Sequence, residues 1–210
     1  MRVKAIYNQL LKKYGPQHWW PVYVRPGRTT PGRPVWFRDT QFEIAVGAIL
    51  TQNTAWKNVA KAIENLYNAK ALTPAQILKL PTQKLQSLIR PAGYFRQKAK
   101  KLKLFSKWLM KEFGGDILRL KRWEIGDMRD KLLKQWGIGP ETADSIILYA
   151  LNKPIFVIDE YTRRLCKKYG VVYNTYDEYQ KFFESKLPRD TKLFQEFHAL
   201  IVANGKTQKS

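Results

Sequence analysis

The chain is poor in cysteine and in acid. One cysteine, Cys166, occurs in 210 residues, which excludes a disulfide framework and any four-cysteine metal or iron–sulfur site within them. Cys166 follows Leu165 in a helical pattern and reads as ordinary packing. Only 17 Asp and Glu stand against 38 Lys and Arg, for a net charge of +21. That imbalance on a folded domain points to a polyanionic partner, nucleic acid first and an anionic membrane surface second. No apolar run approaches the about 18 residues that a membrane span needs. Met1–Leu11 mixes basic and apolar residues without the apolar core of a secretory leader. The expected location is therefore cytoplasmic and nucleoid-associated, without a membrane partner. Alternation of period two is also missing, so the pattern predicts no sheet.

What is present is helical. An apolar fraction of 44% supplies a core. The stretch Arg25–Pro34 is rich in Pro, Gly and Arg and reads as a loop. It separates a short helix, Val3–Tyr14, from the main body. Asp39 or Thr40 can cap a helix to Leu50 that is apolar almost all round, hence central. Thr54 can cap the next, with Trp56, Val59, Ile63 and Leu66 on one stripe. Thr73-Pro74 and Thr82 open two short helices. After the turn at Gly93 comes a long basic helix. It should face Ala99, Leu102, Phe105, Leu109 and Phe113 inward and its lysines, Lys98, Lys100, Lys101, Lys103 and Lys107, mostly outward. Helices are expected near Glu160–Tyr169, Thr175–Leu187 and Thr191–Asn204.

Two local patterns carry chemistry. The first is the turn Gly137-Ile138-Gly139 between two helices, with Pro140 at the start of the second. Glycines there let the backbone approach a ligand, and unpaired N–H groups at the helix start suit a phosphate. Alone, such a turn is also simply a corner. The second is the apolar run Ile155–Ile158, which delivers Asp159 to the start of a helix. An N-cap is the plain reading of Asp159, and it is compatible with a rigidly held, ionised catalytic carboxylate. The two histidines, His18 and His198, are far apart and receive no catalytic role.

Together these motifs resemble the helix-hairpin-helix–Gly-Pro-Asp (HhH-GPD) signature of the endonuclease III superfamily of DNA glycosylases. The resemblance rests on Gly137-Ile138-Gly139, Thr142-Ala143-Asp144, Val157-Ile158-Asp159 and Arg163-Arg164. It extends to Ile49-Leu50-Thr51-Gln52-Asn53-Thr54, to Arg90-Pro91-Ala92-Gly93-Tyr94-Phe95 and to His198–Lys206. It implies an all-α, two-lobed fold. A six-helix barrel would span 36–151. The second lobe would combine 1–35 with 152–210 and carry Asp159. Bifunctional members hold a catalytic lysine at the position of Glu141, and a glutamate cannot form a Schiff base. That departure and the missing cluster cysteines, with Trp19-Trp20-Pro21 and the Gln52 loop, are similar to the 3-methyladenine glycosylases of the MagIII type. By this resemblance the chain is a monofunctional base excision enzyme without cofactor or metal. It would act as a monomer on double-stranded DNA containing damaged bases.

The same resemblance assigns roles to residues. Asp159 would stabilise an oxocarbenium-like sugar and activate water. Trp19, Trp20 and Trp56 would line the base pocket, although each could instead be core. Glu141 would line the pocket or satisfy a helix N-terminus. Gln52 would fill the gap left by the flipped base, with Tyr94 as a second wedge, against plain readings as a loop amide and a packed turn residue. Gly137, Ile138 and Gly139 would hold a phosphate. Other lesions (uracil, mismatched thymine, oxidised guanine) and a non-catalytic DNA-binding module are the competing readings.

Overall fold

The computed structural model describes residues 1–21 and 38–207. The loop Arg25–Pro34 and the expected lobe boundary at 35/36 lie outside the described residues. Among the described residues there is no strand, and no helix is long and apolar enough to cross a membrane. The chain divides into two compact units. Of the described residues, 38–146 form one and 1–21 with 147–207 the other. The division falls between Ile146 and Ile147, earlier than the 151/152 boundary expected.

The first unit is built on α2 (Arg38–Leu50), α3 (Trp56–Asn68), α4 (Pro74–Lys79), α5 (Thr82–Leu88), α6 (Phe95–Phe113), α7 (Ile125–Leu133) and α8 (Pro140–Ser145). From Gln41 to Leu50 every residue of α2 is buried, as an all-round apolar helix requires. It packs on α3, α6 and α8. Phe42 stacks on Phe105 of α6 at 6.4 Å. Thr73 caps α4, its side chain accepting the Gln76 N–H.

Three expectations are corrected here. The helix containing Asp39 and Thr40 already begins at Arg38, so neither caps it. Thr54 does not cap α3 either: Ala55 holds that position, and the Thr54 hydroxyl is drawn to other partners. Lys98 does not face outward. It is 2% exposed, because its ammonium reaches three acceptors inside the protein.

The second unit contains α1 (Val3–Tyr14), a π-helical stretch (Ile146–Ala150, from Ile147 onward), α9 (Glu160–Lys168), α10 (Tyr176–Glu184) and α11 (Thr191–Thr207). α1 and α9 both pack on α11. Its core is aromatic: Phe156 stacks on Phe183 at 4.4 Å and meets Phe194 and Phe197 edge-on. Cys166 is buried, and burial pushes its thiol up to about 11, so it packs and does not react.

Candidate active site

Asp159 is delivered by extended backbone that pairs with no strand among the described residues. Residues Ile155–Ile158 are buried, so their polar groups need partners. A row on one face of α10 supplies them. Glu184 accepts the Phe156 N–H (2.8 Å), Gln180 donates to the Phe156 carbonyl (2.7 Å), and Tyr176 accepts the Ile158 N–H (3.1 Å). Spaced four apart, these three side chains stand above one another along the helix. They stand in for a neighbouring strand and fix where the run ends.

At that end Asp159 caps α9. Its Oδ1 accepts the Thr162 N–H (2.7 Å) and the Thr162 hydroxyl (2.8 Å). The carboxylate is buried, its side chain only 12% exposed. His198 Nε2 lies 3.6 Å from the other oxygen, Oδ2. Burial alone would raise the Asp159 carboxyl. His198 and then Thr162 outweigh it and hold the group below the ordinary carboxylate range. It is an anion at neutral pH.

Aromatic rings gather beside this carboxylate's partners. Tyr149, from the π-helical stretch, meets His198 Nδ1 at 2.7 Å. Trp19 stands edge-on to His198 (5.8 Å) and to Trp20 (5.9 Å), and Trp20 lies 5.0 Å from Tyr149. Lys206 lies over the Trp19 ring at 5.9 Å. Asp159, Trp19 and Trp20 thus lie within one unit. Both tryptophans are half-buried. Tyr149 has no signal in the sequence, and His198 receives no catalytic role there. They are 49 positions apart, and only the fold brings them together.

The hairpin belongs to the other unit. Gly137 has φ +79, a conformation that favours glycine, and a Cβ there would fall 2.6 Å from Lys101 Cε, so the Lys101 side chain would have to shift. Gly139 has φ −94 with open space around it, so its lack of a side chain leaves the backbone approachable. The expectation that the turn's N–H groups are unpaired fails at Ile138, whose N–H donates to the Gln135 carbonyl (3.1 Å). Arg129 of α7 and Asp144 of α8 form an ion pair at 2.9 Å that joins the two hairpin helices, with Asp144 fully buried.

Gln52 is tied to this turn. Its amide donates to the Gly137 carbonyl (3.0 Å) and the Thr142 hydroxyl (2.9 Å), and its carbonyl accepts from Lys101. It is no plain loop amide. Tyr94 caps α6 with left-handed backbone (φ 44) and is 70% exposed, so it is not a packed turn residue. A cleft of about 410 Å³ has Gln52, Tyr94, Gln97, Lys101 and Trp136 on its walls. Glu141 is exposed in the first turn of α8, where its charge suits the helix N-terminus. Trp56 is half-buried at the start of α3.

The family model for HhH-GPD superfamily base excision DNA repair proteins matches residues 46–189. A candidate DNA repair glycosylase of Methanocaldococcus jannaschii is 42% identical over 207 residues, 97% of this chain and 87% of that protein. The crystal structure of the H. pylori 3-methyladenine DNA glycosylase MagIII bound to 1,N6-ethenoadenine matches with a TM-score of 0.80 at 30% identity, over 99% of each chain. A trapped endonuclease III–DNA covalent intermediate matches with a TM-score of 0.76 at 20% identity, over 99% of this chain and 87% of that one, a likeness of fold alone.

Proposed function

Since the chain belongs to the HhH-GPD superfamily of base excision DNA repair proteins and is a DNA glycosylase of that superfamily, we propose that it is a monofunctional hydrolase that removes N3-alkylated adenine from double-stranded DNA. The observation that carries this reading is Asp159: a buried, ionised carboxylate, held rigidly as a helix cap, in the same unit as the half-buried rings of Trp19 and Trp20. The match to a 3-methyladenine glycosylase over 99% of both chains supports it.

The chemistry follows from the leaving group. The target nucleotide is flipped from the stack. Asp159 faces C1′, stabilises positive charge on the sugar and takes the proton of the attacking water. An N3-alkylated adenine is already cationic, so it departs neutral and needs no general acid. Indole faces suit a flat cationic purine, by about 0.5–2 kcal/mol per contact. Trp19 and Trp20, in the unit of Asp159, receive the base; Trp56 and Glu141, to which the resemblance gives the same role, belong to the other unit. Glu141 offers no amine, so no covalent enzyme–sugar intermediate forms there.

The hairpin turn Gly137–Gly139 holds a backbone phosphate, with the neighbouring lysines adding charge. Tyr94 enters the duplex as a wedge. Gln52 fills the vacated position only by giving up its ties to Gly137, Thr142 and Lys101. The enzyme works as a monomer and without cofactor.

The test is release of free base from duplex DNA carrying N3-methyladenine, by the wild type and by Asp159→Asn. The wild type should release it, the variant should bind DNA but release it orders of magnitude more slowly, and borohydride should trap no adduct. Release of uracil or thymine with methylated DNA ignored would overturn the substrate. A variant as active as the wild type would overturn the role of Asp159.

A further inference from the structure

His198 is 4% exposed, and among the described residues its Nε2 finds no hydrogen-bond partner. The atom it faces is Asp159 Oδ2, at 3.6 Å, just beyond hydrogen-bonding distance. Its other nitrogen is engaged: Tyr149 Oη lies 2.7 Å from Nδ1 and 3.2 Å from the Gln195 carbonyl. The proton positions follow from this geometry. The phenol has one hydrogen and two neighbours. If the hydrogen goes to Nδ1, the imidazole is neutral and carries its own hydrogen on Nε2. If it goes to Gln195, Nδ1 donates to the phenol. The first arrangement is the one that avoids aiming a bare Nε2 lone pair at a carboxylate inside a ring of aromatics. In that arrangement Nε2 presents a hydrogen to Asp159.

We propose that His198, clamped by Tyr149, is the positioning residue of Asp159, holding Oδ2 so that the carboxylate stays ionised and in one orientation until water is activated. This rests on the reading of Asp159 as the catalytic carboxylate. In hydrolysis the water oxygen bonds to C1′ as the C1′–N bond breaks, and that bond's electron pair leaves with the base. The water proton goes to Asp159, and the imidazole exchanges none.

The surroundings suit the role. Thr162 already occupies Oδ1 with two donors, so the carboxylate's remaining freedom lies at Oδ2. Trp19 lies edge-on against the imidazole. Burial, with Asp159 and Glu196 nearby, raises the Tyr149 phenol well above its usual value, so its hydrogen is retained at working pH. The charged groups near His198 are Asp159 at the start of α9 and, on α11 itself, Glu196 and Lys206. Glu196 accepts the Gln17 N–H (2.6 Å), and Lys206 lies over Trp19.

Three variants test this: Tyr149→Phe, His198→Phe and His198→Gln. Two measurements are made on each. One is the pH profile of single-turnover base release. The other is a carbon-13 NMR titration of the Asp159 carboxyl in the free protein, which needs no substrate. Tyr149→Phe and His198→Phe should slow release about tenfold or more and raise the acid limb by about one pH unit. Affinity for undamaged duplex should stay within about twofold, which sets positioning apart from misfolding. In the titration the Asp159 carboxyl should move up in step. His198→Gln keeps an N–H donor on that side and should recover part of both. If His198→Phe does not fold, Tyr149→Phe, which loses one oxygen, carries the test. A wild-type rate with an unmoved acid limb and an unmoved Asp159 titration would overturn the proposal. If the wild type releases no base but the titration moves as expected, the substrate reading fails while the pairing of His198 with Asp159 stands.

Discussion

Lys98 and Thr54 meet in a 2.7 Å hydrogen bond, ammonium to hydroxyl, that ties the first turns of α6 to the loop after α2. The same ammonium donates to the Leu50 carbonyl (2.9 Å) and the Ala92 carbonyl (2.8 Å), so its three hydrogens meet three acceptors. Burial, and then Lys101, push it down to about 8. One side chain therefore anchors the loops that carry Gln52 and Tyr94. Lys98→Met should lower stability by about 3 kcal/mol, because it removes the ammonium donor from the buried Leu50 carbonyl, the Thr54 hydroxyl and the Ala92 carbonyl, of which Ala92 alone keeps a second donor, Thr54. Urea denaturation at neutral pH measures this. A loss below about 1 kcal/mol would mean the acceptors find other donors.

Much of this was legible from residue order, and the exceptions share a cause. The stripe Val59, Ile63, Leu66 and the stripe Ala99, Leu102, Phe105, Leu109 gave α3 and α6 because a helix repeats every 3.6 residues whatever surrounds it. Thr73 and Asp159 were readable as caps because a cap acts within three residues. Lys98 was misread because nothing local separates a lysine bound to distant carbonyls from one in water. Thr54 failed as a cap because Ala92 and Lys98, 38 and 44 positions away, compete for its hydroxyl. The Tyr149–His198 contact is set by how α11 packs in its unit, which no window of sequence contains. The row Tyr176, Gln180, Glu184 had a signal, polar groups four apart on one helix face, but no visible partner until the run before Asp159 was placed beside it.

The two glycines of the hairpin should separate folding from binding. Gly137→Ala forces a side chain into left-handed backbone and against Lys101, and should destabilise by about 1–2 kcal/mol. Gly139→Ala sits at φ −94 in open space and should change stability by less than about 0.5 kcal/mol. If a phosphate rests on this turn, the new methyl group of Gly139→Ala holds it off. Affinity for duplex DNA should fall, and the slope of log K against log salt should shrink by about 0.9 per lost contact. Unchanged affinity and slope for Gly139→Ala would remove the turn from the DNA interface.

Asp159 makes a prediction about acid stability. Its folded pKa lies below the ordinary value of about 3.9, so its stabilising contribution is present above that value. It is lost as pH falls through the folded pKa. Asp159→Asn keeps a capping oxygen but no charge. Wild type should therefore be the more stable protein at pH 6–7, and the gap should close on acidification below about pH 4. Denaturation midpoints of both proteins across that range decide it. A constant gap would mean that the carboxylate's charge contributes nothing to the fold.

The tryptophans allow the sharpest test of substrate, because packing and recognition predict different pairs of results. A core tryptophan cut to alanine costs about 3–5 kcal/mol and disturbs activity only through the fold. Trp56 is half-buried at the start of α3, while Val59, Ile63 and Leu66 fill the core behind it. Trp56→Ala should therefore lose less than about 2 kcal/mol of stability. If its ring receives a cationic purine, release of N3-methyladenine should fall about 2- to 30-fold, since the lost face is worth about 0.5–2 kcal/mol. Trp56→Phe keeps a π face and should recover part of that rate. Affinity for undamaged duplex should hardly move, because the ring is not a phosphate contact. A stability loss near 4 kcal/mol with proportionate loss of activity on every substrate would assign Trp56 to the core. Unchanged excision in a stable Trp56→Ala would take it out of the pocket and leave base recognition to Trp19 and Trp20.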